Sequence, residues 1–118
     1  MRRRVVGKAN DLHPGEVRIV PLGKKASLGV FNVGGRFYAL KNLCPHQGGP
    51  LCQGRLRPLI VSDRPYQVSY QRESEILRCP WHNWEFDIKT GEALCNPGVR
   101  VRTYAVTVEA GEIVVSLD

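Results

Sequence analysis

The sequence predicts an all-β protein, an antiparallel sandwich or small barrel. Three observations carry this prediction. Apolar and polar residues alternate with period two in several short runs, which turns one face of each run toward a core. No segment sustains the 3.6-residue periodicity of an amphipathic helix. Glycine and proline, 12 and 8 of the 118 residues, interrupt the runs often enough for many short strands.

The elements follow in order. Val17-Arg18-Ile19-Val20 alternates and reads as a strand. Leu28 to Val33 and Arg36 to Leu40 read as two strands joined by Gly34-Gly35, a two-residue turn that takes positive φ at both positions. Tyr66 to Gln71 alternates strictly, with Tyr66, Val68 and Tyr70 on one face. Glu75 to Arg78 is a short strand. Val99 to Val108 alternates throughout and is predicted as one strand. Glu109-Ala110-Gly111-Glu112 is a turn, and Ile113 to Leu117 is the last strand. The length fits a single domain over 1–118.

Composition narrows the function. Apolar residues are 42% and charged residues 24% of the chain, an ordinary globular balance. No run approaches the ~18 apolar residues of a membrane helix. The start, Met1 to Lys8, is basic with no apolar stretch behind it, so neither a secretory nor a twin-arginine signal is expected and a cytoplasmic protein is. An oxygenase catalytic domain, a Rossmann domain and a P-loop domain need more chain than this, and their glycine fingerprints are missing. The net charge is +6. Its 17 Lys and Arg residues are spread along the chain with no basic helix, which argues against nucleic acid and for an acidic protein partner or simple solubility. Arg2 to Arg4 reads as a solvated terminus.

Two stretches break the strand rhythm. One is Cys44-Pro45-His46-Gln47-Gly48-Gly49-Pro50-Leu51-Cys52, the other Cys79-Pro80-Trp81-His82-Asn83-Trp84-Glu85-Phe86-Asp87. Each holds a cysteine, a proline and a histidine. Thiolate and imidazole are ligands for zinc and for iron in sulfur-rich sites. In a chain without an export signal, four cysteines favour metal binding over disulfides. Pro45 and Pro80 stiffen the turns, and Gly48 and Gly49 allow close backbone approach.

Cys44-Pro-His46 with Cys79-Pro-Trp-His82 resembles the Rieske iron–sulfur motif. The flanks extend the resemblance: Asn42 to Leu51, Cys79 to Asp87, the Lys89 to Ala93 turn and the closing strands, roughly residues 5 to 117. It implies a Rieske-like fold, an antiparallel base carrying a small cluster-binding subdomain at about 42–92. It also implies a [2Fe-2S] cluster with Cys44 and Cys79 on one iron and His46 and His82 on the other. Two ferric ions, two sulfides and two thiolates sum to about zero, against about −2 with four thiolates, so adding an electron costs less.

The function implied is one-electron transfer as a ferredoxin component, with a flavoprotein reductase and an oxygenase or reductase large subunit as partners. No small-molecule substrate is expected, and the chain reads as part of an oxidoreductase system of dioxygenase type. Only His13 remains beyond the two cluster histidines, too few for the two-histidine, one-carboxylate iron site of an oxygenase. The alternatives are a regulatory, assembly or nitrite-reductase-like small subunit with a redox-sensing cluster, and a structural zinc site on the same four residues.

Departures from the family pattern stand beside the match. The interval between His46 and Cys79 is longer than in many relatives, and the excess, about 58–74, predicts an extra hairpin. It is either a docking surface or an extended strand pair. Asn83 stands where glycine is usual, and asparagine tolerates the left-handed region best among other residues. Trp81 and Trp84 either shield the cluster or pack ordinarily. Cys52 and Cys95 are each expected to be buried free thiols, and His13 a solvated loop residue.

High-potential members of the family carry an extra cysteine in each loop and a Ser and a Tyr hydroxyl near the cluster. Here Gly49 and Trp81 stand at the cysteine positions, and Trp84 and Phe86 at the hydroxyl positions. Fewer donors stabilise the reduced form less. Redox titration is therefore expected to place the potential in the low part of the Rieske range. A clearly positive value near neutral pH rejects this.

Overall fold

A computed structural model describes the chain except residues 1, 25, 46–48, 65–66, 81–83, 97 and 118; for residues 55, 57–64 and 67–75 it describes the backbone alone. Ten strands fall within the described residues. They are β1 (Arg3–Lys8), β2 (Val17–Pro21), β3 (Ser27–Val33), β4 (Arg36–Lys41), β5 (Arg55–Arg64), β6 (Gln67–Arg78), β7 (Glu85–Asp87), β8 (Thr103–Tyr104), β9 (Val106–Glu109) and β10 (Glu112–Ser116). Single 3-10 turns occupy Ala9–Asp11 and Leu51–Gln53. All pairings are antiparallel, in three sheets ordered β1-β10-β9, β2-β3-β4-β8 and β5-β6-β7.

The second sheet is the middle layer. Along β3, side chains alternate between its two faces, and both faces are buried. Leu28 and Val30 join Ala39, Ile113 and Val115 in one apolar cluster, shared with the first sheet. Phe31 and Val33 join Leu40, Leu77, Phe86 and Ile88 in a second, shared with the third sheet. A strand buried on both faces needs no exposed polar positions. Leu28 to Phe31 accordingly reads as Leu-Gly-Val-Phe.

The tight turns behave as their sequences require. Gly34 and Gly35 take φ of 60° and 93°, the left-handed pair that matches the twist of flanking strands. Asn32 fixes this hairpin. Its Oδ1 accepts from Gly35 N at 2.8 Å while its Nδ2 donates to Leu12 O at 2.8 Å. Those two bonds satisfy a buried amide inside an apolar layer.

Three expectations are corrected. Arg2 to Arg4 is not merely a solvated terminus: β1 begins at Arg3 and pairs with β10, Arg3 opposite Ser116 and Arg4 opposite Val115. Arg3 also pairs with Glu109, and Arg4 Nη1 donates to Pro21 O at 2.8 Å. The pairing is between the two ends of the chain, so no local pattern announces it. Val99 to Val108 is not one strand. β8 pairs with β4 and β9 with β10, so the chain changes sheets at Ala105 while its alternation runs on. The strands expected at 66–71 and 75–78 are one, β6, which pairs antiparallel with β5; Tyr66 itself lies outside the described residues.

Gly54 follows the second 3-10 turn with an ordinary φ of −73°. A Cβ there would stand 1.8 Å from Arg78 O, and a strand carbonyl cannot step aside. Gly54→Ala is expected to cost about 1–3 kcal/mol, read as a lower urea midpoint at unchanged m-value. An unchanged midpoint contradicts this packing.

Candidate metal centre

Two loops carry the cysteine and histidine pairs. The first leaves the end of β4 and returns at the Leu51–Gln53 turn; the second joins β6 to β7. Each carries its cysteine near its start, and each is closed by a main-chain bond from that residue. Cys44 N donates to Gly49 O at 2.8 Å, and Cys79 N donates to Trp84 O at 2.8 Å. Below the second loop, Arg78 and Glu85 face each other across the ladder with Nη2 3.6 Å from Oε2.

Cys44 and Cys79 are both essentially inaccessible, at 1% and 0% exposure, and both belong to the apolar cluster between the second and third sheets. The structure therefore places the two expected thiol ligands in one apolar cluster from loops far apart in sequence. His46 and His82, the expected imidazole ligands, lie outside the described residues, as do Trp81 and Asn83. Trp84 is half-buried, its ring 6.4 Å from that of the buried Phe86 at 32°. The two positions where the resemblance gives high-potential members hydroxyls hold this tilted pair of rings.

The donor set fits a cluster of two thiolates and two neutral imidazoles. Burying net charge in an apolar surrounding is costly. Among the described residues, the one buried polar residue is Asn32, which belongs to the hairpin above; Arg78, next to Cys79, is partly exposed but buries its Nε without a hydrogen-bond partner. A centre near neutrality suits such a surrounding far better than one near −2.

The remaining cysteines separate. Cys52 is buried, as expected, and unbridged. Its Sγ donates to Leu40 O at 3.5 Å, and a Cβ on Gly29 would stand 2.6 Å from it. Burial pushes this thiol up from 9.0 to about 12, against a smaller opposing effect of the Gly29 backbone hydrogen bond. Cys95, expected to be buried, is exposed and also unbridged. It stands in a turn where Gly98 N bonds Asn96 Oδ1 and Val99 N bonds Asn96 O, with Leu94 and Asn96 exposed on either side. His13 is solvated as expected, its main-chain N bonding Glu16 Oε1.

The Rieske [2Fe-2S] domain matches residues 2–105. The chain belongs to this family. The cofactor of a Rieske domain is the [2Fe-2S] cluster, and the zinc alternative falls. The ferredoxin subunit of 3-phenylpropionate/cinnamic acid dioxygenase from Escherichia coli (strain K12) is 34% identical over 91 residues, 76% of this chain and 72% of that one. The ferredoxin of carbazole 1,9a-dioxygenase from Nocardioides aromaticivorans IC177 superposes with a TM-score of 0.77 at 26% identity, covering 100% of both chains. A chain of the complex of reduced oxygenase and oxidized ferredoxin in carbazole 1,9a-dioxygenase gives 0.76 at 28% identity, covering 97% of this Rieske chain and 92% of that one. No helix among the described residues is long and apolar enough to cross a membrane.

Alkylation at pH 8 should separate Cys52 from Cys95. Iodoacetamide is expected to modify Cys95 in the folded Rieske chain and Cys52 only after unfolding, since the thiolate is the nucleophile. Peptide mapping reads both. Cys52 also sets an alkaline limit. The unfolded chain loses its proton above 9.0 while the folded chain holds it to about 12. Its contribution is therefore full below 9.0 and declines by up to about 1.4 kcal/mol per pH unit above it. Cys52→Ala should flatten that decline.

Proposed function

We propose that this Rieske chain is the ferredoxin component of an oxygenase system, accepting single electrons from a flavoprotein reductase and passing them to the oxygenase. The observation that carries the reading is the pair of buried thiols, Cys44 and Cys79, set in one apolar cluster by two separately closed loops. Cys44 and Cys79 would hold one iron and His46 and His82 the other. When bound, the [2Fe-2S] group supplies reversible one-electron chemistry.

The chain's own residues supply the rest. The two main-chain bonds from the cysteine nitrogens fix each loop where it leaves its strand, so the thiolates stay placed in both redox states. The apolar cluster keeps water from the thiolate side. Trp84 and Phe86 offer no hydroxyl there, which supports a low potential. The relatives named above are ferredoxins of dioxygenases, one of them in complex with its oxygenase, and this supports the same pair of partners here. A charge of +6 favours encounter with an acidic face of either partner, faster at low salt. A cytoplasmic location suits the role, and the unbridged Cys52 and Cys95 accord with a reducing compartment.

The test is a reconstitution. The reduced wild-type chain should show a Rieske-type EPR signal, be reduced by a flavoprotein reductase and be reoxidised by an oxygenase during turnover. Cys79→Ser and His82→Ala should each lose that signal or change it markedly. An unchanged signal in His82→Ala contradicts the ligand set. Redox-dependent partner affinity without turnover would favour a sensor instead.

A further inference from the structure

We infer that Asn42 is the positioning residue for the first cluster loop, a side-chain clasp that joins the loop's two ends and ties both to the middle sheet. The inference rests on the ligand reading above and concerns a residue that touches no iron.

Three hydrogen bonds meet at Asn42. Cys52 N donates to Asn42 Oδ1 at 2.8 Å, Asn42 Nδ2 donates to Ser27 Oγ at 3.1 Å, and Asn42 N donates to Ser27 O at 2.9 Å. The amide's orientation is fixed by its partners: a main-chain N–H can only donate, so the oxygen must face Cys52, and the hydroxyl can accept from the nitrogen. One side chain thus links the residue two before Cys44 to Cys52, where the loop returns. Ser27 is the first residue of β3, so the link is anchored to a strand buried on both faces.

Cys52 reinforces the clasp from the other end. Its side chain sits where Gly29 lacks one, and its Sγ bonds Leu40 O. The loop's return therefore registers on β3 through Gly29, on β4 through Leu40 and on the loop's own start through Asn42. With Cys44 N to Gly49 O as the inner closure, the Asn42 clasp is the outer one. Losing it leaves the thiol in the same apolar cluster but frees the loop's far end to shift.

The experiment uses the full cluster-loaded chain with three substitutions. Asn42→Asp keeps the acceptor for Cys52 N. Ser27→Ala removes the Nδ2 partner alone. Asn42→Ala removes both side-chain bonds. Two readouts are taken: the reduced-state EPR line shape, and the rate of cluster bleaching at a temperature where circular dichroism shows the polypeptide folded. Asn42→Ala is expected to broaden or shift the EPR features and to bleach roughly three- to tenfold faster, the worth of the Cys52 N bond that it alone of the three variants loses. Asn42→Asp and Ser27→Ala should both retain the wild-type line shape.

Wild-type behaviour in Asn42→Ala overturns the inference, as does an Asn42→Asp that matches Asn42→Ala. Should Asn42→Ala fail to load, Asn42→Asp decides alone: native EPR supports the clasp and failure to load sinks it. Amide hydrogen exchange at Cys52 separates this from the ligand reading. Cys52 N–H should exchange slowly in wild type and Asn42→Asp and fast in Asn42→Ala, whatever metal is bound. If wild type lacks a Rieske signal but its Cys52 amide is protected, the ligand set is wrong and the clasp stands.

Discussion

The burial of β3 and β4 on both faces is the constraint on which the rest depends. One face, through Leu28, Val30 and Ala39, closes the packing with the first sheet. The other, through Phe31, Val33 and Leu40, receives Leu77, Phe86 and both loop cysteines. The same two strands therefore stabilise the base and floor the metal centre. Fully burying each such side chain contributes about 1.5–3 kcal/mol, so the floor is as rigid as the core. Electron transfer needs that rigidity, because a ligand set that relaxes between redox states slows the exchange.

Much of this was legible in the sequence, for physical reasons that can be named. The Gly34-Gly35 turn is legible because only glycine tolerates two consecutive left-handed residues cheaply. The two loops are legible because thiol, imidazole and proline in a short span have few other uses. Alternation is a weaker guide. It describes which face a residue takes, not which sheet it joins, so Val99 to Val108 reads as continuous although the chain passes from β4 to β10 at Ala105. β1 is invisible for a related reason: its partner β10 is at the far end of the chain, and a pairing of that kind is decided by the closed fold.

The two asparagines show where local reading stops. Asn32 lies inside the run Leu28 to Val33 and Asn42 directly follows β4, and neither residue's sequence neighbours reveal its side-chain partners. In the fold, one binds Gly35 N and Leu12 O, the other Cys52 N and Ser27 Oγ. An amide carries an acceptor and two donors on a short stem, so one side chain can join two segments that have no backbone partners left. Cys95 fails in the opposite sense. A cysteine is usually buried, but the Asn96-centred turn holds this one outside the core.

Charge and burial then act on different parts of the molecule. Inside, a near-neutral centre avoids the cost of burying charge, and Cys52 stays protonated for the same reason. Outside, arginines do structural work before any partner arrives. Arg4 reaches Pro21 O and Arg18 reaches Val6 O at 3.0 Å, which stitches the edge of the first sheet to the edge of the second where no backbone ladder joins them. The net positive charge is thus partly a consequence of how two sheet edges are held together. An edge covered by guanidinium groups also resists pairing with another chain. A small carrier that must meet two partners and leave each of them gains from that arrangement. It offers these partners no bare strand edge at this seam on which to be trapped.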